Sequence, residues 1–168
     1  MPDTTQLKAQ LDSGDEDEQF DALTDIGKQR LRALETAVVP FLDHPSGELR
    51  AAAVRALGFH LRAQAHRDSV RRLAVEDPDP EARGAAIQAW TTLLAGTRDP
   101  DALRLLDAWL RDQRSPYLVR ANAFWGLLDV AGLPRSRWPA PRAYDDIDAD
   151  VPWELVDEVL GPGFEPGA

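Results

Sequence analysis

The sequence of 168 residues contains no cysteine, and lysine accounts for only two of its nineteen basic residues. Without cysteine the chain has no disulfide, no thiolate metal ligand and no thiol nucleophile. No apolar run approaches the roughly 20 residues that a transmembrane helix needs, so we predict no membrane contact. The opening MPDTTQLKAQ lacks the basic and apolar regions of a signal peptide. Together these features predict a cytoplasmic protein.

Acidic residues dominate the chain, whose formal net charge is −10 at pH 7. The excess is uneven, since residues 1–46 carry −6, residues 47–142 carry +4 and residues 143–168 carry −8. An acidic protein is poorly suited to neutralising phosphates, which disfavours nucleic acid as a partner. The same charge favours a basic protein partner.

No group of residues in the sequence matches a catalytic or cofactor-binding motif. The three histidines, His44, His60 and His66, lack metal-ligand spacing, and no His-Glu pair, glycine-rich phosphate loop or Gly-x-Ser-x-Gly motif is present. We therefore predict that the protein is not an enzyme and needs no metal or cofactor.

One acidic stretch resembles the start of a calcium-binding loop. Asp146, Asp148 and Asp150 alternate along the chain, and Asp157 stands at the twelfth position of such a loop. The turn glycine is missing, because Val151 takes its place, and position twelve is not glutamate. Three alternatives remain: a solvated acidic linker, which we favour, a segment that docks on basic residues, and a calcium site.

Helical periodicity repeats at regular intervals in the middle of the chain. Small and apolar residues recur at helical spacing from Leu49 to His60, and the same spacing returns 33 residues later from Ala82 to Leu93. Weaker copies lie at offsets of 31 and 37 residues on either side. A helical pattern inside such a period is typical of stacked helical repeats. We predict an all-α solenoid of about four helical pairs over residues 1–132, with an acidic, proline-rich extension over residues 133–168.

Turns rich in proline, glycine and aspartate separate the predicted helices. Pro40 should kink its helix or mark its start, whereas Pro80 suits a first helical turn. The last helix is short and lies within the extension. The predicted helices cover residues 4–11, 15–27, 31–43, 48–62, 68–75, 81–94, 100–110, 117–130 and 152–160.

Two sets of residues are predicted to be buried. Small side chains let helices approach closely, and large apolar ones fill the space between repeats. The small residues at equivalent positions of the repeats are Ala53, Ala86 and Ala123. The large residues at core spacing are Trp90, Trp109 and Trp125.

Two segments, LDHPSGELRAAAVRALG (42–58) and VEDPDPEARGAAIQAW (75–90), carry a more specific pattern. Each has aspartate and proline in a turn, an arginine at the start of the next helix and an alanine three residues later. This pattern resembles HEAT repeats of the short bacterial type that is also called phycobilisome-lyase-like. The resemblance covers about residues 4–131 and weakens in the first repeat, where Gln19 replaces the arginine.

The resemblance to HEAT repeats implies a curved, right-handed solenoid whose second helices line a concave face that binds a protein. The second helices here are 31–43, 68–75 and 100–110. Residues of these helices outside the apolar stripe are the predicted partner contacts: Glu35, Arg71, Arg72, Arg104 and Asp107. The alternative is a face that is only solvated. The resemblance also implies a structural ladder of polar side chains between repeats, formed by Asp43, Arg50, Asp77 or Asp79, Arg83 and Arg120.

Several functions occur among proteins with HEAT repeats, and this sequence favours a noncatalytic module for protein–protein interaction. Such a protein could be an adaptor, a scaffold or an immunity protein that neutralises a basic toxin. A different class is a DNA-binding protein of the HEAT-like alkylpurine DNA glycosylase type, for which the candidate cluster is Arg104, Asp107, Trp109 and Arg111. The iron enzyme deoxyhypusine hydroxylase, a further HEAT-repeat protein, holds its metal with His-Glu pairs, which this sequence lacks.

Overall fold

The computed structural model describes residues 3–140 and 146–164. Over these residues the chain is helical and has no strand, which confirms the predicted all-α class. Its α-helices are α1 (Thr4–Leu11), α2 (Glu16–Lys28), α3 (Glu35–Val38), α4 (Gly47–Val54), α5 (Arg67–Glu76), α6 (Pro80–Leu93), α7 (Pro100–Arg111), α8 (Tyr117–Ala131), α9 (Ile147–Asp150) and α10 (Trp153–Leu160).

Aspartate side chains start several of these helices. Asp15 accepts hydrogen bonds from two backbone N–H groups in the first turn of α2, at 3.0 and 3.1 Å. Asp79 and Asp99 do the same for α6 and α7. Such caps satisfy N–H groups that have no partner within the helix, and each contributes about 1 kcal/mol. The acidic turns of the sequence therefore fix the helix starts.

The chain forms two compact units, one ending at Leu93 and the other beginning at Leu94. In the first unit α1 packs against α2, the segment 39–43 packs against α4, and α5 packs against α6. The helices that open successive repeats, α2, α4 and α6, contact each other in order. In the second unit α8 packs against α7, α9 and α10. This division does not coincide with the boundary predicted after residue 132, because the C-terminal helices pack on α8.

Small residues lie where the repeat-opening helices of the first unit meet. A Cβ atom added to Gly58 would lie 2.5 Å from the Cβ of Ala89, and one added to Gly27 would lie 3.1 Å from the Cα of Ala56. Neither glycine position has room for a side chain, which explains the glycine near the end of both helices. Burial of the three seam alanines is confirmed, since Ala53, Ala86 and Ala123 are fully buried.

Two of the three predicted core tryptophans are buried. Trp90 and Trp109 are core residues, as predicted. Trp125 is half-buried instead, and its ring stacks on that of Trp138 with 5.5 Å between centroids. The prediction for Trp125 was therefore wrong, because its side chain lies at the edge of the second unit's core beside the extension.

Two predicted helices are not regular α-helices. The segment predicted as 31–43 consists of the 3₁₀ turn Arg32–Leu34, the short α3 and the 3₁₀ segment Val39–Asp43. Pro40 interrupts it because proline has no N–H to donate and its ring clashes with the preceding helical turn. The segment predicted as 48–62 continues from α4 into a π-helical turn, Arg55–His60, which is wider than an α-turn.

The C-terminal extension contains more helix than the sequence predicts. Besides α10 it has the 3₁₀ turn Arg135–Arg137 and the short α9, which falls in the alternating aspartates. The carboxylate of Asp146 accepts hydrogen bonds from the N–H groups of Asp148 and Ala149, so it starts α9 in the way an N-cap does. Residues 141–145 of the extension lie outside the described residues.

Candidate functional site

The predicted contact residues of the first unit lie on the exposed side of its second helices. Arg71 and Arg72 are both exposed on α5. The Arg71 guanidinium lies 6.0 Å from the ring centroid of Trp90, and Arg72 binds the carboxylate of Asp43 at 2.6 Å. Glu35 is partly buried, and one of its carboxylate oxygens lies 3.1 Å from Nε2 of His66. All three predicted contact residues of the first unit are therefore already ordered by neighbours.

A groove of about 300 Å³ lies where the second helices of the first unit end. Arg72 and Glu76 of α5 line it together with Asp43 and the turn at Pro78. The repeat pattern predicted Arg72 as a contact, but it indicated neither Glu76 nor the groove itself. The available signal was the acidic turn that follows each second helix, since stacked repeats bring equivalent turns to one edge.

The predicted contact residues of the second unit differ in exposure. Arg104 is exposed on α7 and pairs with Asp101 of the same helix at 2.8 Å. Asp107 is only 1% exposed, and it accepts a 2.7 Å hydrogen bond from Nε of Arg111. The prediction of Asp107 as a surface contact needs correction, because a buried carboxylate cannot meet a partner. Its physical role is to hold Arg111.

The same neighbours contact the cluster that is the candidate for a DNA glycosylase type of function. Trp109 and Asp107 are both buried, and Arg111 also contacts Asp157 at 3.4 Å and lies over the ring of Trp153 at 5.1 Å. A glycosylase needs an open pocket that receives a flipped base between exposed side chains. In this cluster Asp107 and Trp109 are buried, and Arg104 and Arg111 pair with carboxylates of the same unit.

The residues predicted to form a ladder contact different partners. Nε and Nη2 of Arg50 donate to the two carboxylate oxygens of Asp77 in the next repeat, at 2.8 and 2.7 Å. Asp43 is a departure from the predicted pattern, because its partner is Arg72 rather than a ladder arginine. Asp79 caps α6, as described above. Arg83 donates through Nε to the backbone carbonyl of Ala74 at 3.1 Å.

Arg120, the ladder residue of the second unit, joins three elements. Its Nε donates to the carbonyl oxygen of Leu110 at 2.8 Å, and its two terminal nitrogens donate to the carboxylate of Asp148 in α9. Of the alternatives for the aspartates 146, 148 and 150, these contacts favour docking on a basic residue of the chain. Asp148 and Asp146 are occupied as an ion-pair partner and a helix cap.

The environment of Asp77 favours its charged form. Burial raises the pKa of this carboxyl, but the hydrogen bonds from Arg50 and from the N–H of Asp79 outweigh burial, so the pKa lies below its usual value. The hydrogen bond to Asp77 in turn raises the pKa of Arg50. The pair is therefore charged at neutral pH and joins two repeats.

Charge is segregated between the two edges of the first unit. The turns 12–18, 43–48 and 76–81, which lead into α2, α4 and α6, contain eleven acidic residues and no lysine or arginine. Segments 28–32 and 60–67, which follow the first two of these helices, contain five lysines and arginines and no acidic residue. Parallel helices explain this, because acidic groups stabilise helix N-termini and basic groups stabilise C-termini.

Two further kinds of feature are absent from the part of the chain that the structure describes. Within residues 3–140 and 146–164, no group of three or more His, Asp or Glu side chains could hold a metal ion. In the same part of the chain, no helix is both long and apolar enough to cross a membrane. What the geometry provides is a set of ordered, charged helix surfaces and grooves.

Comparison with known families agrees with the repeat geometry. A family model for HEAT repeats matches residues 4–89 and again residues 35–128. The chain belongs to the HEAT-repeat family. No curated protein and no solved structure matches it significantly. Membership of the HEAT-repeat family indicates a protein-interaction or scaffold module, while the phycobilisome-lyase-like subtype stays a prediction.

Proposed function

We propose that this HEAT-repeat protein is a noncatalytic module that binds a protein partner through the second helices of its first unit. The observation that carries the proposal is the groove beside α5, whose exposed rim combines Arg72, Asp43 and Glu76. Helices that expose ordered charged side chains beside a groove suit a folded protein surface, because charge complementarity selects the partner and its orientation. Arg71 extends this rim along α5.

The partner that we propose is basic. The net charge of −10 and the acidic edge of the first unit create a negative field that would speed association with a positively charged protein. An immunity protein that neutralises a basic toxin has this charge relationship, and we propose it as the specific role. We also propose the cytoplasm of a bacterial cell as the location, which fractionation of the native cell would test.

The first experiment identifies the partner. The tagged protein is captured from native cell extract at low and at high salt, and the bound proteins are identified by mass spectrometry. We expect a protein with a basic surface that is retained at low salt and binds more weakly at high salt, because salt screens charge attraction. Recovery of nucleic acid without such a protein would contradict the proposal.

The second experiment locates the contact. The double variant Asp43→Lys with Glu76→Lys reverses two charges at the rim and should weaken binding of the identified partner at least tenfold. The matched control is Asp21→Lys with Asp25→Lys, which reverses two exposed charges on α2. Equal weakening by both double variants would show a nonspecific charge effect and contradict a contact at the groove.

A further inference from the structure

A second groove in the first unit lies on the opposite helix layer, between α2 and the π-helical end of the helix that begins with α4. Its volume is about 270 Å³. Its apolar wall is formed by Phe20, Leu23, Ala52 and Ala56. Three basic side chains, Lys28, Arg55 and His60, line the same groove. The groove therefore combines an apolar wall with positive charge at its rim.

The two permanently charged groups of this groove lack the partners that other basic residues of the unit have. Arg50 and Arg72 are each held by a carboxylate. Lys28 and Arg55 are exposed, and neither forms an ion pair or a side-chain hydrogen bond with any residue between 3 and 140 or 146 and 164. In a chain with an excess of acidic residues, two cations that line one groove and have no carboxylate partner among the described residues are available for an external anion.

The electrostatics at His60 agree with a positive potential in the groove. Burial lowers the pKa of this imidazole most, and the nearby charges of Arg30 and Lys28 lower it further. Arg30 and Lys28 therefore lie close enough to disfavour a proton on the ring. An anion bound at Lys28 would act in the opposite direction.

The backbone at the groove includes a rare type of helical turn. Arg55 and His60 are the first and last residues of the π-helical turn, and such turns occur frequently at functional sites. The turn also carries Phe59, which is 41% exposed and contacts the His60 ring edge-to-face at 5.1 Å between centroids. An exposed aromatic ring thus lies next to the basic rim and adds apolar surface.

We propose that this groove binds an acidic peptide segment of a partner protein. An apolar side chain of the peptide packs against Phe20 and Ala52, and a neighbouring Asp or Glu carboxylate binds Lys28 and Arg55. The combination argues for a peptide rather than a free inorganic anion, because an inorganic anion would leave the apolar wall exposed. This site is separate from the surface of the proposed function. It selects an acidic segment, whereas the surface of the proposed function selects a basic partner.

The test uses the full-length protein and a displayed library of random 12-residue peptides. We expect enrichment of peptides in which Asp or Glu stands beside Leu, Ile, Phe or Trp. The strongest peptide is then labelled with fluorescein, and its affinity is measured by anisotropy. Lys28→Glu with Arg55→Glu should weaken binding at least tenfold. The charge-matched control, Lys8→Glu with Arg114→Glu, changes two exposed residues that do not line the groove and should change affinity less than twofold.

Two further measurements keep the outcome interpretable. Lys28→Gln with Arg55→Gln adds no negative charge and serves if the Glu variants fail to fold, which circular dichroism shows. By NMR, the pKa of the His60 ring should rise when the peptide saturates the protein, because a bound carboxylate stabilises the protonated ring.

Three results would overturn the proposal. The first is a selection that enriches no acidic peptide. The second is an enriched peptide that the groove variants and the control variants bind equally well. The third is self-association of the wild-type protein, measured by sedimentation velocity, that the groove variants abolish, since the occupant would then be a second copy of the chain.

Discussion

Arg50 and Asp77 join two successive repeats of the first unit through a two-bonded ion pair. The Asp77 side chain is fully buried and that of Arg50 is 12% exposed. The third nitrogen of the guanidinium donates to the carbonyl oxygens of His44 and Pro45, both at 2.9 Å. One side chain therefore holds the turn before α4 and the turn before α6 together, which fixes the stacking of the two repeats.

Removing one member of this pair should destabilise the protein strongly. Asp77→Ala leaves the Arg50 charge largely buried without its carboxylate, which typically costs about 3–5 kcal/mol. The measurement is the free energy of unfolding in urea. Asp43→Ala, which breaks the exposed pair with Arg72, is the control and should cost less than about 1 kcal/mol. Similar losses for the two variants would contradict the structural role assigned to Asp77.

Acid should weaken the protein through the same carboxylate. The pKa of Asp77 is lowered in the folded state, whereas an unfolded aspartate titrates near about 3.9. The unfolded state therefore binds more protons in this range, so the stabilisation is complete above about pH 5 and is lost as the pH falls through the lowered folded pKa. Unfolding free energies between pH 7 and pH 3 should fall less steeply for Asp77→Asn than for the wild type. If the unfolding free energies of Asp77→Asn and the wild type fall in parallel, Asp77 is not a cause of the loss of stability in acid.

The repeat-opening helices were predictable because their signals are local. Regular small residues and the turns before them mark α4, α6 and α8, and each of these helices begins within one residue of its predicted start. The sequence predicted that Pro40 kinks its helix or marks its start. It did not predict the 3₁₀ geometry of the flanking turns, because that geometry depends on packing. The π-helical turn at Arg55–His60 also escaped prediction, since helical periodicity does not distinguish a turn that is one residue wider.

The candidate surfaces were less predictable because they depend on side-chain reach. Asp43 and Asp77 both lie where a second helix ends, yet one binds Arg72 of α5 and the other binds Arg50. Long arginine side chains can meet carboxylates from several elements, and sequence spacing does not decide among them. Asp107 illustrates the same limit, because its position off the apolar stripe did not reveal that Arg111 covers it.

Gly58 tests the close approach of repeat-opening helices. Gly58→Ala places a Cβ atom 2.5 Å from the Cβ of Ala89, so the helices must separate or strain. Overpacking of this kind costs typically about 1–3 kcal/mol. Thermal denaturation should show the loss, and the double variant Gly58→Ala with Ala89→Gly should recover part of it by restoring space. A double variant less stable than the sum of both single changes would contradict this contact.

The pKa of His60 provides a test of the field in its groove. Burial, then the charges of Arg30 and Lys28, lower this pKa below the usual histidine value of about 6.5. Lys28→Gln removes one of these charges and should raise the His60 pKa, whereas Lys8→Gln should not change it. The measurement is an NMR pH titration of the three imidazole rings, with His60→Gln to assign the signal. An unchanged His60 pKa in Lys28→Gln would show that the Lys28 charge does not act on the imidazole in this groove.

A variant of Asp148 tests how the C-terminal extension is attached to α8. Arg120 is 7% exposed, and its guanidinium donates hydrogen bonds to the carboxylate of Asp148. The hydrogen bonds from Arg120 lower the pKa of Asp148, so this carboxylate is charged at neutral pH. Asp148→Asn removes that charge and should lower the melting temperature. Asp157→Asn is the control, because Asp157 is exposed and contacts Arg111 at 3.4 Å.

Hydrogen exchange should show where Asp148→Asn acts. Because α9 carries Asp148 and both α9 and α10 contact α8, weakening this pair should speed amide exchange in α9 and α10 while α4 and α6 keep their protection. Added calcium should leave the melting temperature of the wild type unchanged, since Asp146 caps α9 and Asp148 already binds Arg120. A rise with calcium that Asp148→Asn abolishes would instead mean that the aspartates release these contacts to bind the ion.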